Sequence, residues 1–316
     1  MKSVQLVREK VGSKVVESLF EGLSSVSRST SLARQSIASL RVLRDLRYGT
    51  LDDQTLDIYL PSDGTPPRGI VFYVHGGGFR ILSKDTHWLM GVGFAQQGFV
   101  VYNVNYRLAP RFPFPAALED LALAWDWVME HAARAGFSGG VVVAGESAGA
   151  NLVTSLTIAA TQERPEPFAK EIFQMGVVPT AVLANCGMLQ VSDWERFPRR
   201  RPMHPWLQDR LREVTEAYLS GESSGTELAD PLLVIENSEE WHRDLPPFFS
   251  CAGTRDPLLD DTRRLHSALG RLGVESRCEI YPGEVHAFHA FLWRQQARKC
   301  WVDQFTFLDD VLNREG

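Results

Sequence analysis

The sequence predicts an α/β fold, with a mostly parallel sheet covered by helices on both faces. Three observations predict it. From Gln54 onward, short apolar runs rich in β-branched and aromatic residues alternate with longer helical stretches. The runs are apolar throughout rather than at every second residue, which is the pattern of strands buried on both sides. The composition, 44% hydrophobic and 23% charged over 316 residues, supplies core material for one large α/β domain or two ordinary ones.

Taken in order, residues 1 to about 47 are Ser-rich, basic on balance and poor in proline. Val4, Val7, Val11, Val15 and Leu19 recur at three- and four-residue steps, which predicts an amphipathic helix packed on the protein's own body. Glu9, Glu17 and Glu21 on its polar side argue against an anionic lipid surface. Strands are predicted over Thr55–Leu60, Ile70–His75, Phe99–Val104, Val141–Ala144, Ile172–Val178, Phe248–Cys251 and Ser276–Tyr281. Helices are predicted near Trp88–Gln97, Pro115–Ala135, Ala148–Thr161, Asp260–Leu272 and Gln295–Leu312. The turn-like link of Asp63-Gly64 and Pro66-Pro67 points to antiparallel pairing of the first two runs at one edge. Between Val178 and Phe248 lie roughly seventy residues of mixed character, with a helical pattern over Trp206–Leu219 and a loose Gly221–Gly225 link. So long an insertion between strands fits a lid or cap. Arg199, Arg200 and Arg201 read as a solvated face.

Bulk properties exclude several functions. A net charge of -6 argues against a nucleic-acid partner. No apolar run approaches the roughly 18 residues of a membrane span, and Arg8, Glu9 and Lys10 interrupt any secretory h-region. No integral membrane segment and a cytoplasmic location are therefore expected. Cys186, Cys251, Cys278 and Cys300 show no metal-ligand spacing and read as buried reduced thiols.

The chemistry begins at Gly145-Glu146-Ser147-Ala148-Gly149, which an apolar strand enters and an Ala/Leu/Val/Thr-rich helix leaves. That is the context of a nucleophile elbow, with the serine hydroxyl exposed on a strained turn. The helix N-terminus favours negative charge developing there. Upstream, His75-Gly76-Gly77-Gly78-Phe79 follows a strand, and successive glycines bring backbone N–H groups close to a ligand, as an oxyanion hole requires. His75 itself reads as a loop-anchoring hydrogen bonder. The acid and the base should follow the serine at later strand ends. Asp256 stands in the loop after Phe248–Cys251, whereas Asp260 and Asp261 read as leading the next helix. Both His286 and His289 precede a residue and then Phe; distance from the strand end favours His286 as base and leaves His289 to packing.

With His75–Phe79, Tyr106-Arg-Leu-Ala-Pro110, Phe114-Pro-Ala-Ala-Leu-Glu-Asp120, Gly145–Gly149, Asp256-Pro-Leu258 and Tyr281-Pro-Gly-x-x-His286 in this order, the sequence resembles the hormone-sensitive-lipase-like (bacterial family IV) carboxylesterases of the α/β-hydrolase superfamily. The resemblance covers about residues 55 to 295. It implies a catalytic triad of Ser147, Asp256 and His286, and an oxyanion hole of the Gly77, Gly78 and Ala148 N–H groups. It also implies an N-terminal cap segment over 1–47 and a cap insertion over 185–230, with the core formed by 48–184 and 231–316. The expected activity is hydrolysis of short to medium acyl esters, small-molecule substrates, without metal or cofactor. A homodimer is compatible with it. The sequence departs from the family pattern at Glu146, Ala150 and Arg111. Glu146 could bond the loop bearing His286 or Asp256, or support its own turn, and Arg111 is expected at the surface. An amidase or aryl-formamidase, a lipid-surface lipase and a non-catalytic ligand-binding relative are the rival readings. The last is opposed by the presence of all three triad residues.

Overall fold

The computed structural model describes residues 14–314 apart from 16, 19, 23, 63, 138 and 221–224. Val4, Val7, Val11 and Leu19 of the N-terminal stripe lie outside the described residues. Val15 is described and is 57% exposed, so it does not make the packing expected of the stripe.

Eight strands form one sheet. They are β1 (Leu40–Arg47), β2 (Thr55–Pro61), β3 (Ile70–Val74), β4 (Val100–Val104), β5 (Val141–Glu146), β6 (Ala181–Asn185), β7 (Phe248–Gly253) and β8 (Ser276–Tyr281). Their order is β1-β2-β4-β3-β5-β6-β7-β8, and β2 alone runs against the rest. Strands β3, β4 and β5 are buried almost throughout, as their unbroken Val, Ile, Phe and Tyr content requires of a sheet covered on both faces. The cover comes from α1 (Ser31–Ala38), α2 (Trp88–Ala95), α3 (Ala116–Arg134), α4 (Ala148–Thr161), α5 (Pro167–Met175), α9 (Leu259–Arg271) and α10 (Gln295–Leu312). All fourteen residues of α4 are buried, which suits a helix apolar or small on every side. Between β6 and β7 stand α6 (Arg196–Arg200), α7 (Pro205–Leu219) and α8 (Pro231–Asn237). This is the α/β-hydrolase arrangement.

Three expectations need correction. Leu40–Arg47, placed with the N-terminal helical region, is an edge strand. Its Arg41, Arg44, Asp45 and Arg47 keep the outer edge charged, and that polarity masks strand alternation. The strand expected over Ile172–Val178 is instead the end of α5, which Pro167 starts at a first-turn position and Gly176 ends with φ +70°. The strand comes later, over Ala181–Asn185. Finally, β2 and β3 are not partners; β4 lies between them, and β2 pairs with β1 and β4.

The cysteines are all unpaired thiols, with Cys186, Cys251 and Cys300 buried and Cys278 half-buried. Among the described residues no helix is long and apolar enough to cross a membrane. Arg199 and Arg200 are exposed, pairing with Asp193 and with Asp260, and Arg111 is also exposed.

Candidate active site

Parallel register aligns the strand ends that carry the motifs. Val74 pairs with Gly145, Gly145 with Ala184, and Asn185 with Cys251, so β3, β5, β6 and β7 finish at one edge. In open α/β sheets, ligand sites form at these carboxyl ends.

Ser147 is held at φ +53°, ψ -115° between β5 and α4. Its N–H donates to Asn185 O at 2.9 Å, and its carbonyl accepts from the N–H groups of Met188 and Asn151. The turn is possible because both flanking glycines lack a side chain. A Cβ on Gly149 would stand 2.1 Å from Val74 O, and one on Gly145 would stand 2.5 Å from the Gly149 backbone. Ala148 opens α4, where the first N–H groups have no preceding turn to accept them.

The glycine loop after β3 approaches just as closely. Gly77 (φ +112°) and Gly78 (φ +59°) take conformations that disfavour any side chain. Among the described residues, their N–H groups donate to no other group of the chain. His75 is fully buried, and its Nδ1 lies 2.7 Å from Gly76 O. Burial and the neighbouring His87 push its pKa down to about 3. It is neutral, and it anchors the loop. Tyr106 stacks on its ring at 4.4 Å and donates its hydroxyl to His75 O at 2.9 Å. Arg107 is in turn fixed by Asp120, which accepts from both its backbone N–H and its Nε, and also from Gln54. The Tyr106–Pro110 and Phe114–Asp120 stretches thus serve the loop from beneath.

Asp256 and His286 meet across the loops that follow β7 and β8. His286 Nδ1 lies 3.0 and 3.1 Å from the two Asp256 carboxylate oxygens. Asp256 is buried and its Oδ1 also accepts from Leu258 N–H at 2.8 Å, while the His286 side chain is 33% exposed. Burial opposes charge on His286, but Asp256 more than offsets it, and the imidazole pKa is pushed up to about 9. The two loops are tied by Thr254 N–H to Tyr281 O, Arg255 N–H to Glu284 O, and Gly283 N–H to Thr254 Oγ1. Among the described residues, no hydrogen bond joins Ser147 Oγ to His286. Such contacts commonly tighten only when substrate binds. Asp260 and Asp261 stand in the first turn of α9; Asp261 is buried against Arg196 and accepts from Leu189 N–H.

Glu146 answers the question its sequence position raised. Its buried carboxylate reaches the loop bearing His286 through His289, whose Nε2 lies 2.5 Å from Oε2. On the other side, His87 Nε2 lies 2.8 Å from Oε1. Burial opposes both charges of the Glu146–His289 pair, but each partner stabilises the other. The carboxyl therefore sits well below its usual range and the imidazole well above. His289 is an ion-pair partner rather than packing. Sequence reasoning gave no signal for His87, nor for Cys186, which follows β6 at φ +49° and is fully buried. A contact with Cys251 lowers the Cys186 pKa to about 7 against the effect of burial.

An apolar cleft of about 570 Å³ reaches Glu146 from the far side. Phe20, Thr30 and Ala33 line it together with Trp88, Phe291 and Trp301. From the opposite side α7 covers the glycine loop. A Cβ on Gly78 would meet Val214 at 2.7 Å, Phe79 stacks on Tyr218 at 3.7 Å, and Arg80 pairs with Glu213 at 2.6 Å.

Comparison with known proteins gives the same picture. The model of a family described as alpha/beta hydrolase fold matches residues 71–290. Carboxylesterase NlhH of Mycobacterium tuberculosis is 29% identical over 253 residues, covering 78% of this chain and 75% of that protein. An acetyl esterase of Salmonella schwarzengrund is 29% identical over 241 residues, covering 75% of this chain and 69% of its own. Among solved structures, an esterase from the bacterial hormone-sensitive lipase family superposes with a TM-score of 0.73 at 22% identity, over 94% of this chain and 90% of that one.

Proposed function

The chain belongs to the α/β-hydrolase fold family that it matches over residues 71–290, and from that premise we propose that it is a serine carboxylesterase acting through Ser147, His286 and Asp256. The observation that carries this reading is the Asp256–His286 pair, formed at the ends of neighbouring parallel strands on the edge where the Ser147 elbow stands. The esterase names of the relatives support ester hydrolysis as the reaction.

The geometry supports a role for each group. Asp256 accepts from His286 Nδ1, which leaves the Nε2 lone pair as the proton acceptor. His286 takes the Ser147 proton as the hydroxyl attacks the ester carbonyl, then passes it to the leaving alcohol. The N–H groups of Gly77, Gly78 and Ala148, which among the described residues make no bond within the chain's turns, receive the oxyanion. Water activated by the same histidine releases the acyl group. No step requires a metal or cofactor. The described residues before β1 and the 185–230 insertion act as the cap over the site, the first bordering the cleft behind Glu146 through Phe20, Thr30 and Ala33 and the second carrying α7. Short to medium acyl esters are the proposed substrates.

A fluorophosphonate probe and a panel of chromogenic esters and anilides of increasing chain length test this. Stoichiometric labelling of Ser147 and turnover of esters of short chains is the expected outcome. Labelling elsewhere, or anilides cleaved as fast as esters, would count against it.

The pH dependence is also set. The base must be neutral to act, so kcat/KM on a soluble ester rises with pH through about 9. Asp256→Asn moves that inflection to lower pH, and lowers the plateau by about 10⁴. The same raised pKa stabilises the fold, fully below an unfolded value of about 6.5 and with loss as pH rises through about 9. A wild-type profile already flat at pH 6, unmoved by Asp256→Asn, would exclude the pairing as the source.

A further inference from the structure

Cys186 has no part in the reaction above, yet it stands against the two groups that carry the proton. It follows β6 directly, while Asp256 follows β7 and His286 follows β8. One ligand atom from each, a thiol sulfur, a carboxylate oxygen and an imidazole nitrogen, lie within 4.8 Å of one another.

We infer that Cys186, Asp256 and His286 form a site for a borderline-soft divalent cation, zinc or cadmium, whose binding shuts off hydrolysis. Four features of the cluster carry this. The donors are one sulfur, one nitrogen and one oxygen, a set that suits zinc with a fourth position left for water. Ligand atoms at zinc-bond distance stand roughly 3.3–3.8 Å apart across a tetrahedron. The cluster therefore closes with small side-chain adjustments. Charge is balanced too. Binding forms metal–sulfur and metal–nitrogen bonds and releases to solvent both the thiol proton and the proton that His286 carries below about pH 9. A neutral imidazole therefore binds while one thiolate and one carboxylate neutralise the dication. Neutrality matters here, because Cys186 and Asp256 are 0% and 1% exposed. The nearby His289 imidazolium is itself countered by Glu146. Finally, the half-exposed His286 gives the cation its way in and the water ligand its opening.

Magnesium and calcium prefer six or more oxygens, and this cluster offers a single carboxylate. They should not bind. The coupling to hydrolysis rests on the reading of His286 and Asp256 as the acid–base pair, since a cation bound to both leaves neither available for the proton. The metal site itself does not rest on that reading.

The test uses the full chain. Zinc is titrated against hydrolysis of a soluble chromogenic ester, with magnesium and calcium as controls and a chelator to reverse the effect. Zinc should lower the rate and the chelator restore it, and the hard cations should do nothing. Cys186→Ser should keep basal activity and need about tenfold or more zinc for the same inhibition. Cadmium supplies a readout that needs no activity, the ultraviolet cadmium–thiolate absorption band. It should appear at one equivalent in the wild type and in Cys278→Ser, vanish in Cys186→Ser, and require about tenfold more cadmium in His286→Ala. The His286→Ala arm holds even if Cys186→Ser fails to fold. A band that survives in folded Cys186→Ser, or that is unmoved in His286→Ala, overturns the site. A band at one equivalent without zinc inhibition overturns the coupling, and points to a different acid–base pair.

Discussion

Ser147→Ala is expected to lower turnover of a soluble short-chain ester by about a millionfold, with the fold intact. The elbow is built by the backbone, not by the hydroxyl. Ser147 N–H is taken by Asn185 O, its carbonyl by Met188 and Asn151, and the close approach belongs to Gly145 and Gly149. Alanine keeps the Cβ and loses only the nucleophile. Thermal unfolding should therefore change by less than about 1 kcal/mol, as for a substitution that breaks no buried contact. What remains is the catalysis by the N–H donors and by substrate positioning, typically about 10³–10⁴-fold over water. Steady-state assay of purified protein, beside a melt of the same sample, reads both. Retention of more than about 1% of the wild-type rate would remove Ser147 from the chemistry.

Glu146→Gln is expected to cost about 3–5 kcal/mol of stability near pH 6, because it strands the buried His289 imidazolium without a counter-ion. The volume is unchanged, so packing is not the cause. The pH window follows from the two shifts. Glu146 has its pKa depressed, so its contribution is present above the unfolded value of about 4.3 and lost as pH falls through the folded one. His289 has its pKa raised, so its contribution is full below about 6.5 and lost as pH rises through the folded value. Denaturant titrations at several pH values measure the difference. The double variant with His289→Gln removes both charges and should recover part of the loss. If it is no more stable than Glu146→Gln alone, the pair is not what holds these two loops together.

How far the sequence could be read depended on where each residue's role is decided. Elements whose signals are local were legible: α4 and α10 have the predicted bounds, because a helix small or apolar on every side and an amphipathic one with its stripe at three- and four-residue steps both declare themselves. The strained turn at Ser147 was legible because such a turn needs its glycines at fixed offsets. Strand β1 was not, since an edge strand is deliberately polar. The stretch over Ile172–Val178 failed for a different reason. A β-branched residue beside apolar ones suits either period, and the punctuation by Pro167 and Gly176 decides it. Sheet order was only partly readable, as no local pattern says that β4 inserts between β2 and β3. His87 heads α2, His289 lies beyond β8 and Cys186 follows β6, so only the folded arrangement brings them to Glu146 and Asp256.

Helix α7 has a bearing on selectivity. It is fastened to the glycine loop by the Phe79–Tyr218 stack and the Arg80–Glu213 pair, and to the start of α3 by Phe114 N–H donating to Tyr218 O at 2.8 Å. Contacts at these points hold α7 in place against the glycine loop. If the insertion serves as the proposed cap, substrates are expected to be sorted by what fits beneath Val214, not by how often an opening occurs. Discrimination among esters should accordingly follow molecular girth, and it should be retuned by changing one side chain on that helix rather than by loosening its ends.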